Sequence, residues 1–466
     1  MNEAALLQRT PPAIRDSVLD AVGNTPLIRL PAGFDPQVRC EVLLKVELFN
    51  PGGSVKDRIG LRMVREAARR GDLKPGGVVV ECTSGNTGVG LCMAAAALGY
   101  RTIMVMPDKM SQEKVDMLRA YGAEVVLTPT FVQPSDPRHY THVAARIAKE
   151  TPGGWLADQF HNLDNPTAHY LTTGPEIWEA TGGRLDVYVG GCGTGGTVSG
   201  VSRYLKERDS SIRIVGVDPK GSVYEGYWRT GTLGEAGTYQ VEGVGEDQIP
   251  GTWDPSLIDG YQIVEDAEAF HHARRLAAEC GLFVGGSSGL ALAGALREAR
   301  QLAPDARVVV LLPDSGGRYL SKCFSDDWMK DNGFLPRVAA ATATVGDLLR
   351  QRPRAAVTPQ DTLTEALKHL GERGVRPLPV LDQEGGKLLG IVDEQELLDA
   401  VAARANLDQR KVADTIAPAP PQLKSEEPWQ RLQDALRSHD AVLVRDARGW
   451  TGMDRRDLLR SLLRLQ

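Results

Sequence analysis

The sequence predicts a large α/β domain with a mostly parallel sheet, followed by a smaller α+β module. The first observation behind this prediction is the length of 466 residues, which exceeds what one hydrophobic core usually organises. The second is an alternation of short β-rich runs with helical patterns between about Asp20 and Leu335. The third is a change of composition after Leu335, where a weak internal repeat begins.

The predicted sheet rests on a series of short apolar runs. In chain order they are VVVE, TIMVMP, AEVVLT, DVYVGG, IRIVGVDP and RVVVLLPDS. Continuous apolar runs separated by helices are typical of parallel strands that helices cover on both faces. In such folds ligands bind beyond the carboxyl ends of the strands, where glycine-rich turns lead into helices. The chemistry of this chain is therefore expected in those turns.

The internal repeat predicts a module of two similar units, at about residues 344–402 and 411–466. In each unit an amphipathic helix precedes a β-rich stretch, a strand around Ile391 or Met453 and a closing helix. Two such units are expected to cover each other's apolar sheets. The predicted boundaries are an N-terminal extension at 1–20, the large domain at 21–336, a linker at 337–343 and the module at 344–466.

The composition disfavours several classes of partner. The chain has 60 acidic and 54 basic residues without long blocks of either sign, which argues against nucleic acid. No segment offers the roughly 18 consecutive apolar residues of a membrane span, so we expect a cytoplasmic protein without membrane contact. The 6 cysteines form no CxxC pair and the 8 histidines no HExxH spacing. Reduced thiols and no bound metal are therefore expected.

The first glycine-rich turn is NPGGSVKDR, residues Asn50 to Arg58. Pro51 and the two glycines end a strand, and Ser54 is placed to cap a helix that contains Lys56. The positive end of a helix dipole lowers the pKa of a lysine in its first turn, which favours a neutral, nucleophilic amine. An ordinary surface lysine is the simpler interpretation of this turn alone.

Two further turns also precede helices. TSGNTG, Thr83 to Gly88, offers backbone N–H groups and hydroxyls that suit a carboxylate, although a plain capped turn has the same sequence. GGSSG, Gly285 to Gly289, contains Ser287, which is either a helix cap or a hydrogen-bonding partner of a ring nitrogen.

The turn GGCGTGGTVSG is suited to a phosphate, because oriented amides and threonine hydroxyls supply the donors without a basic side chain. The residues expected to bind it are Gly193, Thr194, Gly195, Gly196 and Thr197. The same stretch matches G-x-G-x-x-G at Gly191, Gly193 and Gly196, and Asp218 ends the next strand. A NAD-dependent dehydrogenase is therefore an alternative at this point.

Five motifs in this order, GNTPLIRL, NPGGSVKDR, TSGNTG, GTGGT and GGSSG, resemble the fold type II pyridoxal-phosphate enzymes, the tryptophan synthase β-like family. The resemblance runs from about Val22 to Leu335. It implies that Lys56 binds the cofactor covalently and acts as the catalytic base. It also implies that Asn86 contacts the cofactor's 3′-oxygen, that Gly193 to Thr197 hold its phosphate and that Ser287 faces its pyridine nitrogen. The remaining residues that it implies for the cofactor are Pro313 and Asp314.

The resemblance also implies where substrates bind. The residues implied for the substrate carboxylate are Thr83, Ser84, Asn86, Thr87 and Gln159. The residues implied for the second substrate are Glu242, Gly243 and Gly245. Two segments, Val241 to Pro250 and Leu312 to Leu335, resemble the family members that join serine to homocysteine by β-replacement with loss of water, enzymes that can also release hydrogen sulfide from cysteine. The alternative within the family is a cysteine synthase that uses O-acetylserine and sulfide. A family member without catalysis that only senses ligands is disfavoured, because Lys56 and Asn86 are both present.

The C-terminal repeat resembles the tandem CBS-motif, or Bateman, module that follows many of these catalytic domains. It implies that Asp457 could hold the ribose of an adenosyl ligand. Asp393 and Asp454 stand where a threonine is usual, so a nucleotide phosphate would be repelled and cationic S-adenosylmethionine is favoured over AMP or ATP. A ligand-free role in assembly is the competing interpretation, and a homodimer or larger homo-oligomer is expected by analogy. No haem is expected, because no cysteine or histidine precedes GNTP.

Overall fold

The computed structural model describes residues 14–83, 85–108, 110, 112–130, 132, 136–335, 344–349, 354–371, 376–382, 386–392, 394–403 and 405–458. The chain divides into two compact units, Met1–Met329 and Lys330–Gln466. The predicted linker at 337–343 lies outside the described residues. Each unit has its own core and is considered separately below.

The first unit alternates strands and helices along the chain, as the apolar runs predict. Its strands are β1 Leu27–Arg29, β2 Glu41–Val46, β3 Val78–Cys82, β4 Arg101–Pro107, β5 Glu124–Thr128, β6 Gly154–Leu156, β7 Val187–Gly191, β8 Arg213–Pro219, β9 Gly260–Val264 and β10 Arg307–Leu312. Its helices are α1 Lys56–Arg70, α2 Asn86–Leu98, α3 Gln112–Ala120, α4 Tyr140–Glu150, α5 Asp164–Leu171, α6 Thr173–Thr181, α7 Gly196–Lys206, α8 Tyr224–Thr230, α9 Asp266–Cys280, α10 Gly286–Ala299 and α11 Asp326–Asp331.

These strands form two sheets. The larger has the order β1-β2-β10-β7-β8-β9, and within it only β1 pairs antiparallel to its neighbour. The smaller has the order β5-β4-β3-β6 and is parallel throughout. The predicted strands VVVE, TIMVMP, AEVVLT, DVYVGG, IRIVGVDP and RVVVLLPDS are β3, β4, β5, β7, β8 and β10.

Three of the glycine-rich turns, those before Lys56, Asn86 and Gly196, follow the carboxyl ends of the parallel strands β2, β3 and β7, whereas the turn before Gly286 follows helix α9. Helices α1 and α2, which begin at two of the turns, also pack closely against each other. A methyl group on Gly60 would lie 2.3 Å from the backbone carbon of Gly90, so only glycine permits this approach. The close packing brings the start of α2 next to the start of α1, where Lys56 lies.

The second unit contains two small sheets of similar size. Its helices are α12 Val345–Leu348, α13 Leu363–Gly371, α14 Glu394–Ala402 and α15 Trp429–Ser438. Its strands are β11 Pro379–Leu381, β12 Leu388–Val392, β13 Ile416–Ala417, β14 Gln422–Lys424, β15 Ala441–Asp446 and β16 Gly449–Asp454. The sheets have the orders β11-β12-β13 and β14-β15-β16. The predicted strands around Ile391 and Met453 are β12 and β16.

The first segment of each repeat packs against the other repeat. The N–H of Val345, at the start of the first repeat, donates to the carbonyl of Glu427 in the second at 2.8 Å. The N–H of Val412, at the start of the second repeat, donates to the carbonyl of Asp361 in the first at 2.9 Å. Both valines are fully buried in the core of the other repeat. The repeats therefore share their cores rather than only covering each other's sheets.

No helix within the described part of the chain combines the length and the apolar character that crossing a membrane requires. The described residues also contain no group of three or more histidine, cysteine or acidic side chains that could hold a metal ion.

Candidate active site

Lys56 is the first residue of α1, and three backbone links fix its position. Its N–H donates to the Ser54 hydroxyl oxygen at 3.3 Å, but the N-cap residue is Val55 rather than the predicted Ser54. The Val55 N–H donates to the carbonyl of Pro313 at 2.8 Å, and Ser54 pairs with Asp314 across a β-bridge. The segment that follows β10 therefore lies directly against the lysine turn.

Burial lowers the pKa of the Lys56 amine below its ordinary value. The carboxylates of Asp314, Glu246 and Glu47 oppose this effect, because nearby negative charge favours the ammonium form. The lowered pKa agrees with the expectation from the sequence, although burial rather than the helix dipole is the dominant cause. A lowered pKa favours the neutral amine, which is the form that acts as a nucleophile and as a base.

Lys56 shares a cavity with the predicted phosphate loop. The residues that line this cavity are Val55, Lys56, Gly190, Gly191, Gly193, Thr194, Gly195, Thr197, Gly243, Val244, Leu311 and Pro313. The loop precedes α7, whose first-turn N–H groups lack helical partners and can bind an anion. A cavity with an amine on one side and a bare backbone loop on the other can hold an aldehyde that carries a phosphate.

The phosphate loop is held in place by side chains that sequence analysis did not identify. Asn165 Nδ2 donates to the Thr194 hydroxyl oxygen at 3.0 Å, and the Thr252 hydroxyl donates to the Thr194 carbonyl at 2.6 Å. The ring of His169 lies 3.1 Å from the Thr197 hydroxyl through Nε2. The Tyr224 hydroxyl donates to the carbonyl of Gly193. None of these side chains lies in a glycine-rich motif, so the sequence carried no local signal for them.

The turn before α2 is organised around Thr83. The Thr83 hydroxyl oxygen accepts the N–H groups of Gly85 at 3.0 Å and of Gly88 at 3.2 Å. The Thr87 hydroxyl donates to Gln159 Oε1 at 2.5 Å, and Gln159 Nε2 donates to the Cys82 carbonyl at 3.1 Å. Thr83, Thr87 and Gln159 therefore lie together at the end of β3, as predicted. Ser84 lies outside the described residues.

Asn86 and Asp314 are in direct contact. Asn86 Nδ2 donates to Asp314 Oδ2 at 2.8 Å, and the Tyr319 hydroxyl donates to the same oxygen at 2.6 Å. The Arg318 guanidinium donates to Asn86 Oδ1, so both ends of the amide are engaged. Tyr319 and Arg318 were not among the predicted residues, and the resemblance of their segment was the only signal for them.

Ser287 is buried in the first turn of α10. The N–H of Gly285 just before it donates to the Asp314 carbonyl at 3.1 Å, which joins this turn to the lysine turn through the segment after β10. The two predicted glycines of the loop at 241–250 both have left-handed backbones, with φ of 81° at Gly243 and 75° at Gly245. Gly243 lines the Lys56 cavity, whereas Glu242 lines a second cavity beside the start of α10.

A network of buried ion pairs connects the first turn of α1 to the end of β2 and to α6. Arg58 donates to Glu47 at 2.7 Å and to Glu176 at 2.7 Å, and Lys45 pairs with Glu176 at 2.6 Å. The Thr25 hydroxyl, in the motif GNTP, donates to Glu47 at 2.6 Å. Burial would raise the pKa of Glu176, but Arg58 and Lys45 hold that pKa at about 2. The motif GNTP therefore anchors the turn rather than contacting the cavity.

Glu81, on β3, is a fully buried carboxyl that sequence analysis did not select. Gln159 Nε2 lies 3.3 Å from its Oε1, and its Oε2 has no hydrogen-bond partner. Burial raises the pKa of Glu81 to about 8, and the negative charge of Asp158 adds to this effect. The neutral acid is therefore the form that the fold stabilises at neutral pH.

The raised pKa of Glu81 predicts a loss of stability with rising pH. Between pH 4.5, the ordinary pKa, and about 8 the folded chain holds a proton that the unfolded chain releases, so the free energy of unfolding falls across this window. Glu81→Gln is expected to reduce that loss by about 3 kcal/mol between pH 5.5 and pH 8, since one unit of pKa corresponds to about 1.4 kcal/mol. Urea unfolding at pH 5.5 and pH 8 measures it. Glu235→Gln, at an exposed carboxyl, is the control, and equal slopes in both variants would contradict the assignment.

The described residues fit pyridoxal phosphate. A methyl group on Gly193 would lie 2.5 Å from the carbonyl oxygen of Gly243, and one on Gly195 would lie 2.3 Å from Trp253 Cβ, so the loop must stay bare. The dehydrogenase alternative fails at Asp218, which is fully buried and accepts the N–H of Glu225 at 3.3 Å instead of facing a ligand. The fold and the site together define a pyridoxal-phosphate enzyme of fold type II.

Comparison with known proteins agrees with this class. The family described as pyridoxal-phosphate dependent enzyme matches residues 18–314, and the CBS domain family matches residues 345–403. The chain belongs to the pyridoxal-phosphate dependent enzyme family, and its cofactor is pyridoxal phosphate. A CBS domain follows the catalytic unit.

Relatives extend over most of the chain. The cystathionine beta-synthase of Mus musculus is 43% identical over 399 residues, which cover 84% of this chain and 71% of the relative. That of Saccharomyces cerevisiae is 39% identical over 417 residues, 82% of this chain and 81% of the relative. Cysteine synthase 1 of Neurospora crassa is 40% identical over 327 residues, 69% of this chain and 86% of the relative.

Solved structures resemble the catalytic unit. The structure of O-ureido-L-serine synthase has a TM-score of 0.62 at 39% identity and covers 68% of this chain and 98% of its own. The O-acetylserine dependent cystathionine beta-synthase from Helicobacter pylori has a TM-score of 0.62 at 39% identity and covers 66% of this chain and 98% of its own.

In the second unit, the predicted ligand residue Asp457 is engaged with its neighbour. Asp457 Oδ2 accepts the N–H of Asp454 at 3.0 Å, and Asp454 Oδ1 accepts the N–H of Asp457 at 2.8 Å. This reciprocal pattern caps the helical residues 455–458. Asp393 lies outside the described residues.

Proposed function

We propose that this chain condenses L-serine with L-homocysteine to L-cystathionine and water. The observation that carries the proposal is the cavity that Lys56 shares with the glycine-rich loop before α7. The turn proposed for the serine carboxylate begins α2, which packs closely against the helix that carries Lys56. The choice of homocysteine is supported by relatives named cystathionine beta-synthase that match more than four fifths of this chain.

The residues around the cavity have separate tasks in this reaction. Gly193 to Thr197 would bind the cofactor phosphate through backbone N–H groups and hydroxyls. Asn86 would contact the 3′-oxygen by giving up one of its present bonds to Asp314 and Arg318. Ser287 would offer the pyridine nitrogen a neutral hydrogen-bonding group. Thr83 and Thr87, with Gln159 behind them, bind the serine carboxylate. Bound pyridoxal phosphate supplies an electron-withdrawing ring that acidifies the α-proton of an attached amino acid.

Lys56 transfers the proton. Burial lowers its pKa, which favours the neutral amine, the form that removes the α-proton of serine. The β-hydroxyl takes up a proton and leaves as water. The homocysteine thiolate then adds to the same β-carbon, and the Lys56 ammonium returns a proton to the α-carbon. Ser287 does not enforce a protonated ring as a carboxylate would, which favours elimination over racemisation.

A cysteine synthase reaction is the second candidate, supported by the 40% identity to cysteine synthase 1. Product analysis separates the two. We expect purified holoenzyme with serine and homocysteine to form cystathionine faster than holoenzyme with O-acetylserine and sulfide forms cysteine. Chromatography with mass spectrometry measures both products, and cysteine formation without any cystathionine would overturn the proposal.

The proposal also covers the domain boundaries, the location, the assembly and the regulatory ligand of the chain. We place the catalytic domain at 21–336 and the regulatory module at 344–466, in a cytoplasmic homodimer or larger homo-oligomer that also releases hydrogen sulfide from cysteine. Exposed apolar side chains at Leu163 and Leu171 support an interface between subunits, and sedimentation equilibrium tests it.

S-adenosylmethionine is the proposed ligand of the module, with calorimetric titration as its test. Binding there must compete with the cap formed by Asp454 and Asp457.

A further inference from the structure

Arg318 connects the turn before Lys56 to the turn that begins α2. It lies in the 3₁₀ helix Gly316–Tyr319, which follows β10. Its Nη2 donates to the carbonyl of Gly52, and its Nη1 donates to Oδ1 of Asn86. The side chain is half-buried and forms no ion pair with any residue that the structure describes. Both acceptors are neutral oxygens, so the contacts restrain these two groups without neutralising the charge of the guanidinium.

The two contacts of Arg318 differ in whether other groups can replace them. The N–H of Gly52 donates to Asp57 Oδ2 at 2.5 Å, and the N–H of Val55 donates to the segment after β10 at 2.8 Å. The lysine turn therefore keeps several restraints without Arg318. Asn86 Oδ1, by contrast, accepts a hydrogen bond from no other donor within the described part of the chain. Arg318 therefore decides where this end of the Asn86 amide points.

The contact with Arg318 also decides which end of the amide is available to a ligand. An asparagine amide has an acceptor, Oδ1, and a donor, Nδ2, whereas a guanidinium can only donate. A flipped amide would set its Nδ2 group against the guanidinium, donor against donor. Nδ2 now donates to Asp314 Oδ2 at 2.8 Å, an oxygen that also accepts the Tyr319 hydroxyl at 2.6 Å. Asp314 therefore keeps a partner when Nδ2 turns to another acceptor.

The 3′-oxygen of pyridoxal phosphate is such an acceptor when it is ionised, and a hydrogen bond to the charged form of a group favours that form. We infer that Arg318 is a positioning residue that holds Asn86 with Nδ2 directed toward the 3′-oxygen and thereby favours the ionised oxygen. This inference rests on the contact between Asn86 and the cofactor, which is part of the proposed function. It gives a role to a residue that lies outside all the glycine-rich motifs.

The competing role for Arg318 is a tie that only holds the lysine turn through Gly52. A tie would change how tightly the cofactor binds, but it would not change the protonation of the 3′-oxygen in the chains that have bound it. The positioning role acts through Asn86, so it disappears when the Asn86 amide is absent. Absorption spectra of single and double variants therefore separate the two roles.

The test compares the full-length wild type with Arg318→Met, Asn86→Ala and the double variant, each saturated with pyridoxal phosphate at the same pH. The lysine-bound cofactor absorbs near roughly 410–420 nm when its 3′-oxygen is ionised, and at shorter wavelength when that oxygen is protonated. We expect Arg318→Met to lower the ratio of the two bands about fivefold, as the loss of one hydrogen bond predicts. The double variant should show no larger change than Asn86→Ala alone, because the two residues act as one unit.

A conservative variant and a matched control complete the set. Arg318→Lys should restore most of the ratio, because an ammonium also donates to Asn86 Oδ1. Arg274→Met is the control, since Arg274 is also half-buried and donates to one main-chain carbonyl, that of Cys323 at 3.1 Å, and to one side chain, that of Asp326. It should leave the ratio unchanged. Circular dichroism checks that each variant is folded.

Three results would overturn the inference. An unchanged band ratio in Arg318→Met, with weaker cofactor binding, would assign Arg318 to the tie. Additive effects of Arg318→Met and Asn86→Ala would show that the two residues act separately. A wild-type ratio in Asn86→Ala would remove the contact on which the positioning role depends. A wild-type chain that binds the cofactor but forms no cystathionine would overturn the proposed reaction instead, and the band ratios would still decide the role of Arg318.

Discussion

Lys56→Ala is expected to lower kcat by about a thousandfold or more and to remove the absorbance near roughly 410–420 nm that a lysine-bound cofactor produces. The reason is that in the proposed reaction one amine both attaches the cofactor and transfers the α-proton, so its removal eliminates two functions together. Steady-state kinetics and the absorption spectrum of the purified variant measure the effect. Turnover close to that of the wild type would refute the central assignment.

A matched lysine variant shows whether the loss is specific. Lys74→Ala removes an exposed lysine a few residues after α1 and should change neither the spectrum nor kcat. The phosphate loop is intact in Lys56→Ala, so this variant should still bind pyridoxal phosphate, although more weakly and without the covalent link. Equilibrium dialysis against the cofactor distinguishes this result from a misfolded chain.

Gly195→Ala is expected to weaken pyridoxal phosphate binding by about a hundredfold. Gly195 has a φ of 77°, which disfavours any residue with a Cβ, and the new methyl group would lie 2.3 Å from Trp253 Cβ. Strain and overlap together are worth about 3 kcal/mol, and each 1.4 kcal/mol corresponds to about a tenfold change in affinity. Titration of the apoenzyme with the cofactor, followed by absorbance, gives the dissociation constant.

Gly71→Ala is the control for backbone strain alone. Gly71 has a similar φ of 82°, but no atom lies within 4 Å of the position that its Cβ would occupy. It ends α1, far along the helix from Lys56. We expect it to lower the free energy of unfolding by about 1 kcal/mol without changing cofactor affinity. Equal cofactor affinities in the two variants would show that the loop is not the phosphate site.

The predicted strands and the motif-bearing turns were accessible from the sequence because their signals are local. Six apolar runs became strands of the two sheets, and the turns at Lys56, Asn86, Gly196 and Gly286 each begin a helix. Parallel strands bring their carboxyl ends to one edge, so the order of the turns already implied that they converge. The family could be recognised for the same reason, since its motifs are these turns.

The side chains that support the site could not be found in the same way. Asn165 and His169 lie on α5, about 30 residues before the phosphate loop that they contact. Arg58 and Glu176 are 118 residues apart and meet only because α1 and α6 pack around the same buried carboxylates. Neither pairing has a periodic or glycine-rich pattern that would predict it.

The sequence by itself determined the parallel α/β fold and the cofactor class, and it predicted Lys56 as the cofactor lysine, because each depends on short patterns of apolar residues and glycine-rich turns. The tertiary structure decided how far the amine is buried, which carboxylates surround it, and how Arg318 joins Gly52 to Asn86. It also decided that the first segment of each C-terminal repeat packs against the other repeat. Burial and charge pairing depend on how distant segments pack, and no local sequence pattern predicts that packing.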